Sequence, residues 1–201
     1  MSKRLVVFLL LCAAVMSGCA TTIVRKTVSA PPAPTVTVEY NCKGYPAGAQ
    51  HDSELRRPAM LALYYSCAGD DVPSTPRLVF REAKNVPVTL EMSLQELLKG
   101  PTEDERAKGF VSFFSKETVG LVKSVTVTDS GRAIVNFGDL RPIIPNASSS
   151  AGSAQFIREL NYTVFHFSDV KEVQYQINGS CSTFYEWLQT GCQVHTAAEY
   201  R

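Results

Sequence analysis

The sequence predicts an α+β fold, in which a mainly antiparallel sheet carries helices packed on one face. Apolar and polar residues alternate from Val170 to Ile177, which is typical of a half-buried strand. The segment Asp129-Ser130-Gly131 separates two other strand-like stretches and indicates an antiparallel hairpin. Phe156, Leu160 and Val164 recur at the spacing that places them on one face of a helix.

The first elements of the domain are predicted to be strands. Met60 to Ser66 is apolar and aromatic, and Arg77 to Arg81 has the same character over a shorter length. Val86 to Val88 is expected to be extended. Pro87 places this segment at a sheet edge or an irregularity, because proline has no backbone N–H to donate.

A short helix is expected next. Ser93 and Glu96 have the spacing of a capping box, and the leucines of Leu94–Leu98 share one helical face. Gly100-Pro101 is expected to end this helix.

A second short helix is predicted immediately afterwards. Thr102 and Glu105 form another capping box, and Glu103 and Asp104 lie in the first turn, where negative charge is favourable. Gly109 is expected to end this helix. We interpret the acidic run as a helix cap and a solvated face rather than as a metal site.

The second half of the domain is predicted to contain the hairpin and a longer helix. The hairpin strands are expected at Val125–Thr128 and Arg132–Phe137. Asn146–Ser153 is interpreted as a loop of small residues, and one of Ser148 to Ser150 is expected to be the N-cap of the helix. That helix is expected to end near Ser168-Asp169.

A last short helix is predicted after the turn at Asn178-Gly179. It carries Phe184, Trp187 and Leu188 and is expected to stop at Gly191. We interpret these aromatic residues as part of the core or its cover rather than as a ligand platform.

The N-terminus has the pattern of a targeting segment. Lys3-Arg4 is a short positive region, and the uncharged apolar stretch Leu5–Val15 is shorter than a membrane-spanning helix. Ser17-Gly18-Cys19 follows, and it resembles the lipobox of bacterial lipoproteins, although Met16 replaces the usual leucine. The resemblance implies a signal peptide over 1–18 and a lipid on Cys19; the alternative is an ordinary secretory signal cut nearby.

A linker is predicted between the lipidation site and the folded domain. Residues 19–39 are rich in threonine, valine and alanine, with prolines at Pro31, Pro32 and Pro34. This composition favours extended, polyproline-like conformations. The folded domain is therefore expected over 40–201, held away from a bacterial membrane by the linker.

Charge and composition exclude several classes of protein. The formal net charge is +1 and 45% of the residues are hydrophobic. This balance gives no electrostatic reason to bind nucleic acid, and it is not the composition of a disordered chain. Nothing after the first segment approaches the run of about 20 apolar residues that a second membrane span needs.

The remaining cysteines indicate disulfides. Four follow Cys19, and an even number in an exported chain allows three connectivities. We favour Cys42 with Cys67 and Cys181 with Cys192, because each pair closes a short loop. The second pair requires the last helix to be short, since a straight helix across the whole interval would hold the two cysteines too far apart. A zinc site is disfavoured because the chain has no Cys-x-x-Cys or paired-histidine spacing.

The order of these segments resembles the GerMN domain of sporulation and spore-germination proteins, which is widespread in bacterial lipoproteins. The resemblance covers roughly Ala59 to Gly179, and its most specific pieces are Leu97–Pro101 and Val173–Gly179. It implies a GerMN-like fold, similar to small modules that build rings in envelope assemblies. It also implies a scaffold or partner-binding role, since family members are not known as enzymes. The segment Phe114–Thr118 departs from the family pattern, and the cysteine-bounded tail after Gly179 lies outside it.

Catalytic motifs are sparse. The chain has no Gly-x-Ser-x-Gly run and no glycine-rich phosphate loop. A catalytic triad can assemble from distant residues, so the histidines remain candidates: His51, His166 and His195. A glycosidase would pair two carboxyl groups, and the ones considered are Asp139, Glu159 and Glu186. We predict no enzyme activity, no cofactor and no metal.

Two classes of function remain. The first is a noncatalytic, lipid-anchored extracytoplasmic lipoprotein whose domain is a scaffold or binds a protein partner or itself. The second is an enzyme or ligand binder that acts on cell-wall material. Helices on one face of a sheet leave the other face or an edge available for a partner, or merely solvated. The polar residues expected on that side are Thr126, Thr128, Gln174 and Gln176.

Overall fold

A computed structural model describes residue 42 and residues 60–71, 74–83 and 87–200. The predicted signal peptide (1–18), Cys19, the linker (19–39) and His51 lie outside these residues. The elements below therefore all belong to the predicted domain.

A small antiparallel sheet opens the described domain. It has the strand order β2-β1-β3, with β1 at Met60–Cys67, β2 at Arg77–Glu82 and β3 at Phe110–Val111. Seven of the eight residues of β1 are buried, because this strand pairs on both edges and packs against helices. Pro87 and Val88 lie in no regular element, and Val86 falls outside the described residues.

A second sheet forms the other half of the domain. Its order is β4-β5-β6-β7, with β4 at Val122–Val127, β5 at Arg132–Phe137, β6 at Glu172–Ile177 and β7 at His195–Thr196. The pairs β4–β5 and β6–β7 are antiparallel, whereas β5–β6 is parallel. The predicted α+β class with mainly antiparallel pairing is confirmed, and the central parallel pair is an addition to it.

Four α-helices connect and cover these strands: α1 at Leu90–Leu97, α2 at Glu103–Ala107, α3 at Ser150–Phe165 and α4 at Cys181–Trp187. The predicted cap at Ser93 is wrong. Helix α1 begins one turn earlier, where the Thr89 side chain accepts a hydrogen bond from the Met92 N–H, and Ser93 is buried inside the helix. The cause is Leu90, which extends the apolar face that Leu94 and Leu97 continue.

The capping box of α2 is confirmed. The Thr102 side chain accepts from the Glu105 N–H at 3.2 Å, and the Glu105 carboxylate accepts from the Thr102 N–H at 2.7 Å. Gly109 follows this helix with φ +93°, a left-handed conformation that glycine adopts without steric cost.

Helix α3 differs from expectation at both ends. The predicted loop Asn146–Ser153 is instead a 3₁₀ turn at Pro145–Ser148 followed directly by α3. Ser149, one of the three expected caps, accepts from the Gly152 N–H. The helix ends at Phe165, three residues before the predicted Ser168-Asp169 stop.

One continuous core joins the helices to the inner faces of both sheets. Val135 and Tyr175 face inwards from paired positions on β5 and β6. Phe184 of α4 stacks against Tyr175 and Phe137, with ring centroids 5.3 and 6.1 Å away. The helices therefore cover one face of the four-stranded sheet, as predicted, and its other face points away from this core.

Candidate functional site

The cysteines form the two local pairs that the sequence favoured. Cys42 bonds to Cys67 at the end of β1, with the alpha carbons 5.6 Å apart. Cys181, the first residue of α4, bonds to Cys192 in the C-terminal tail, with the alpha carbons 5.5 Å apart. Disulfides of this kind persist in extracytoplasmic compartments and are rare in a reducing cytoplasm.

The short helix that the second disulfide requires is present. Helix α4 ends at Trp187, and Gln189 then adopts φ +61° while the Thr190 N–H donates to the Tyr185 carbonyl. The chain therefore turns back at Gln189, two residues before the predicted stop at Gly191.

The described histidines lie among tyrosines. His166 Nδ1 is 3.3 Å from the Tyr64 hydroxyl. His195 lies in β7 with 8% of its surface exposed, and its ring centroid is about 6 Å from those of Tyr175 and Tyr185. Burial lowers the pKa of His195, an effect that Glu199 partly opposes, so this imidazole is neutral at neutral pH.

The three carboxyl groups considered as catalytic lie in three different settings. Asp139 is paired with Arg141 through two hydrogen bonds of 2.8 Å, and Arg141 lowers its pKa. Glu186 is exposed on α4, and Glu159 is fully buried on α3. The structure therefore gives these carboxylates no shared environment.

Glu159 is the most unusual of them. Its Oε1 accepts from the Ser66 hydroxyl at 2.6 Å and the Ser66 N–H at 3.2 Å, and its Oε2 accepts from the Ser112 hydroxyl at 2.5 Å. Gln155 donates a further bond at 3.3 Å. Burial raises the pKa of Glu159 to about 7, although these donors act in the opposite direction. These contacts hold α3 against β1 and against the segment after β3. The role of the Glu159 carboxylate is therefore structural.

No group of three or more histidine, cysteine, aspartate or glutamate residues in the described ranges could hold a metal ion. None of the helices in the described part of the chain is long and apolar enough to cross a membrane.

An open cleft of about 540 Å³ surrounds the Gly100-Pro101 turn. Arg81 forms one wall, where it donates to Glu105 through two nitrogens, to Glu96 at 3.1 Å and to the Gly100 carbonyl at 2.8 Å. No local pattern in the sequence indicates this cluster, because Arg81, Glu96 and Glu105 lie on β2, α1 and α2.

The charges of this cleft are largely matched within it. Lys99 donates to Glu96 at 2.5 Å, and Lys116 lies 3.8 Å from Glu117. Arg106 also lines the cleft and donates to the Pro101 carbonyl. A cleft in which three of the four cations face carboxylates offers little net attraction to a charged ligand. We therefore interpret it as a structural junction between the two short helices.

The outer face of the four-stranded sheet is a broad polar surface. Cross-strand rows on this face are Thr126–Ile134–Gln174 and Ser124–Asn136–Gln176. Thr126 and Ser124 are exposed and the other four residues are half-buried. One ion pair, Arg132–Glu172 at 2.7 Å, lies at the end of the face. The predicted positions of Thr126, Gln174 and Gln176 on this side are therefore correct. Thr128 is exposed but lies one residue beyond the end of β4, which spans Val122–Val127 rather than the predicted Val125–Thr128.

Strand β4 forms one edge of the same sheet, and its local structure does not favour pairing with another strand. Strand β4 has an irregularity between Val122 and Ser124, where Lys123 is exposed. Bulges and lysines on edge strands hinder the addition of another strand. This edge is therefore poorly suited to the addition of another strand.

A family model described as "Germane: Sporulation and spore germination" matches residues 62–182, which is more than half of the chain. The chain belongs to the Germane family. The predicted GerMN resemblance is thereby confirmed. The family match ends one residue after Cys181, so most of α4 and the C-terminal tail lie beyond the part of this Germane protein that the family model covers.

Three solved structures resemble the Germane domain. The tandem GerMN domains of the sporulation protein GerM from Bacillus subtilis are 25% identical, with a TM-score of 0.46 over 60% of this chain and 39% of that one. The first GerMN domain of the same protein is 17% identical, with a TM-score of 0.45 over 60% and 84%. A candidate lipoprotein from Clostridium perfringens is 17% identical, with a TM-score of 0.34 over 60% and 75%. A search of curated proteins found no match.

Proposed function

We propose that this protein is a lipid-anchored module of the bacterial cell envelope that binds a protein partner and catalyses no reaction. The observation that carries the proposal is the four-stranded sheet, which has helices on one face and a polar face on the other. Among the described residues no helix packs on that polar face, and Cys192 of the tail reaches it at Gln174. The outer face is centred on neutral side chains that can hydrogen-bond, with a single ion pair at its end. Interfaces between proteins that also exist apart are about as polar as the rest of a protein surface, so a polar face is compatible with a reversible partner.

The location outside the cytoplasm is supported by the two disulfides, one at each end of the described domain. The sequence Ser17-Gly18-Cys19 supplies the proposed anchor. Two acyl chains on one cysteine hold a protein stably on a membrane, whereas one chain gives marginal binding. Under this proposal the linker carries the domain away from the membrane surface, where its outer face meets a partner.

The anchor is tested by Cys19→Ala. The variant should leave the membrane fraction and appear in the soluble fraction, because no acyl chain can attach. A variant that stays in the membrane fraction after a high-salt wash would contradict the anchor.

The partner surface is tested by Thr126→Arg combined with Gln174→Arg, followed by crosslinking in native membranes. Two arginines on the face should abolish the crosslinked partner while leaving the unfolding midpoint within a few degrees of wild type. The matched control is Gln95→Arg with Ala107→Arg, which adds the same charge on exposed positions of α1 and α2. If the first variant crosslinks to the same partners as wild type, the outer face is not the partner surface. Turnover of cell-wall material by the purified protein would overturn the noncatalytic role.

A further inference from the structure

The turn between β6 and α4 contains the dipeptide Asn178-Gly179. Both residues have positive φ, +49° and +81°, as the central pair of a type I′ turn requires. Ile177 and Ser180, on either side of the pair, exchange two backbone hydrogen bonds of 3.0 Å. Asparagine tolerates the left-handed region and glycine has no Cβ to hinder it, so this turn favours an asparagine followed by a glycine.

The same dipeptide is chemically labile. The Gly179 backbone nitrogen, once it has lost its proton to hydroxide, can attack Cγ of the Asn178 side chain and displace ammonia, which leaves a succinimide ring. Water then opens the ring at either carbonyl, so the product is aspartate or isoaspartate. Glycine permits the attack because no side chain obstructs the approach. Both residues are exposed to water, and Asn178 is the only asparagine in the sequence that precedes a glycine.

One contact from the neighbouring strand opposes this reaction. The Gly179 N–H donates to Oδ1 of Asn136, on β5, at 2.7 Å. The bond keeps the reactive nitrogen protonated and directs its hydrogen at an acceptor in the protein. The Asn178 N–H donates in turn to the Phe137 carbonyl at 2.8 Å, which fixes the turn against the end of β5. The Gly179 nitrogen can therefore attack only after its bond to Asn136 has opened.

We propose that Asn178 is a site of spontaneous deamidation in this protein, and that the Asn136 side chain restrains the reaction by binding the Gly179 N–H. Isoaspartate adds one carbon to the backbone of a turn that leads directly into α4. Either product adds a negative charge beside the outer face, at the opposite end of β5 and β6 from Arg132 and Glu172. The opening of one hydrogen bond thus sets the rate at which copies of the protein acquire this change.

The test compares wild type, Asn136→Leu and Asn136→Asp as purified full chains with intact disulfides, incubated at mildly alkaline pH. Peptide mass spectrometry follows deamidation at Asn178 with time, and fragmentation separates isoaspartate from aspartate. Asn136→Leu keeps the volume and removes the acceptor, so the rate should rise about fivefold, the factor that corresponds to one net hydrogen bond. Asn136→Asp keeps an acceptor oxygen and should not exceed the wild-type rate. Asn136→Val, which suits a strand, replaces Asn136→Leu should the latter not fold.

Two controls separate this contact from general unfolding. In concentrated urea all the proteins should deamidate at one common, faster rate, because the turn is absent. Gly120→Ala is a destabilising substitution in another turn and should leave the folded-state rate close to that of wild type. Equal folded-state rates for wild type and Asn136→Leu would overturn the proposal. An equal rise in Gly120→Ala would also overturn it, because the reaction would then belong to the unfolded chain. The measurement needs no partner, so it and the crosslinking result can fail separately.

Discussion

The Ser66 hydroxyl donates to the buried carboxylate of Glu159 at 2.6 Å, across 93 positions of sequence. Ser66 precedes Cys67, the disulfide partner of Cys42, so this contact fixes α3 against the end of β1 where the chain is also crosslinked. Among the residues that the structure describes, no cation donates to the carboxylate; its donors are two serines, a backbone N–H and a glutamine. The ionised form is therefore stabilised by neutral donors alone, against a large cost of burial.

This arrangement predicts a pH-dependent stability. The pKa of Glu159 is about 7 in the folded protein and near 4.5 for an ordinary glutamate. Between these values the folded state binds more protons than the unfolded state. The contribution of Glu159 is therefore fully present below pH 4.5, is lost as the pH rises through 7, and is constant above that. The loss should be on the order of 3 kcal/mol.

Glu159→Gln isolates this effect, because it keeps the volume and cannot titrate. The unfolding free energies of wild type and the variant should be measured by urea titration from pH 4 to pH 8. Their difference should change as the pH rises from about 4.5 to about 7. Gln95→Ala on the exposed side of α1 is the control, since it removes no titratable group, and its difference from wild type should not change with pH. A constant difference between wild type and Glu159→Gln across the range would refute the assignment.

Gly100 is expected to be irreplaceable for a steric reason. A Cβ at Gly100 would lie 2.1 Å from the Phe114 carbonyl oxygen, and the backbone has φ +72°. Gly100→Ala should cost about 3–4 kcal/mol of unfolding free energy, from backbone strain and overpacking together.

Gly120 provides a matched control for the same backbone conformation. Its φ is +78°, but nothing lies within 4 Å of an added Cβ. Gly120→Ala should therefore cost only the strain of about 1–2 kcal/mol. Equal losses at the two positions in denaturant titrations would mean that the contact with Phe114 is not rigid.

Local patterns predicted most elements of the fold, and the errors come from tertiary context. Ser93 and Glu96 satisfy the capping-box spacing, yet Ser93 is buried inside α1 and Thr89 is the cap. The apolar Leu90, four residues before Leu94, was the signal that the helix begins earlier. A capping box is a local motif that can also occur by chance within a helix, so the spacing alone cannot place the first turn.

The sheet order depends on contacts that no local pattern encodes. Helix α3 lies between β5 and β6 in the sequence. Its 16 residues provide the long crossover that two parallel neighbouring strands need, and this parallel pair was not predicted. Glu159 shares a helical face with Phe156 and Leu160, so its burial was predictable. Its donors Ser66 and Ser112 lie 93 and 47 positions away, so no local pattern pairs them with it.

The disulfide between Cys181 and Cys192 should stabilise the C-terminal tail. A crosslink across 11 positions reduces the conformational entropy of the unfolded chain, which stabilises the folded state by about 3 kcal/mol. Cys181→Ser with Cys192→Ser should lower the unfolding free energy by about that amount. It should also speed hydrogen exchange at the Ala197 N–H, which bonds to the Lys171 carbonyl. Peptide mapping without reduction checks the pairing, and recovery of Cys42 linked to Cys181 would contradict it.

Arg81 is expected to stabilise the junction of α1 and α2 more than its neighbour Lys99 does. Both cations bond to Glu96, but the Arg81 side chain is 12% exposed and Lys99 is 52% exposed. Arg81 also binds Glu105 and lies 5.4 Å over the Tyr65 ring. Arg81→Met should cost about 2 kcal/mol, because Glu105 loses its cation. The loss stays below that of a fully buried pair, since Glu96 keeps Lys99 as a partner.

A double-mutant cycle separates the ion pair from packing. Glu105→Gln keeps an acceptor for the Thr102 N–H, so the cap of α2 survives. Combining it with Arg81→Met should cost clearly less than the sum of the two single losses, because neither charge is then left alone. Lys99→Met is the matched control and should change the free energy by less than about 1 kcal/mol, as is usual for exposed pairs. Additive losses for Arg81 and Glu105 would show that this cluster acts through packing alone.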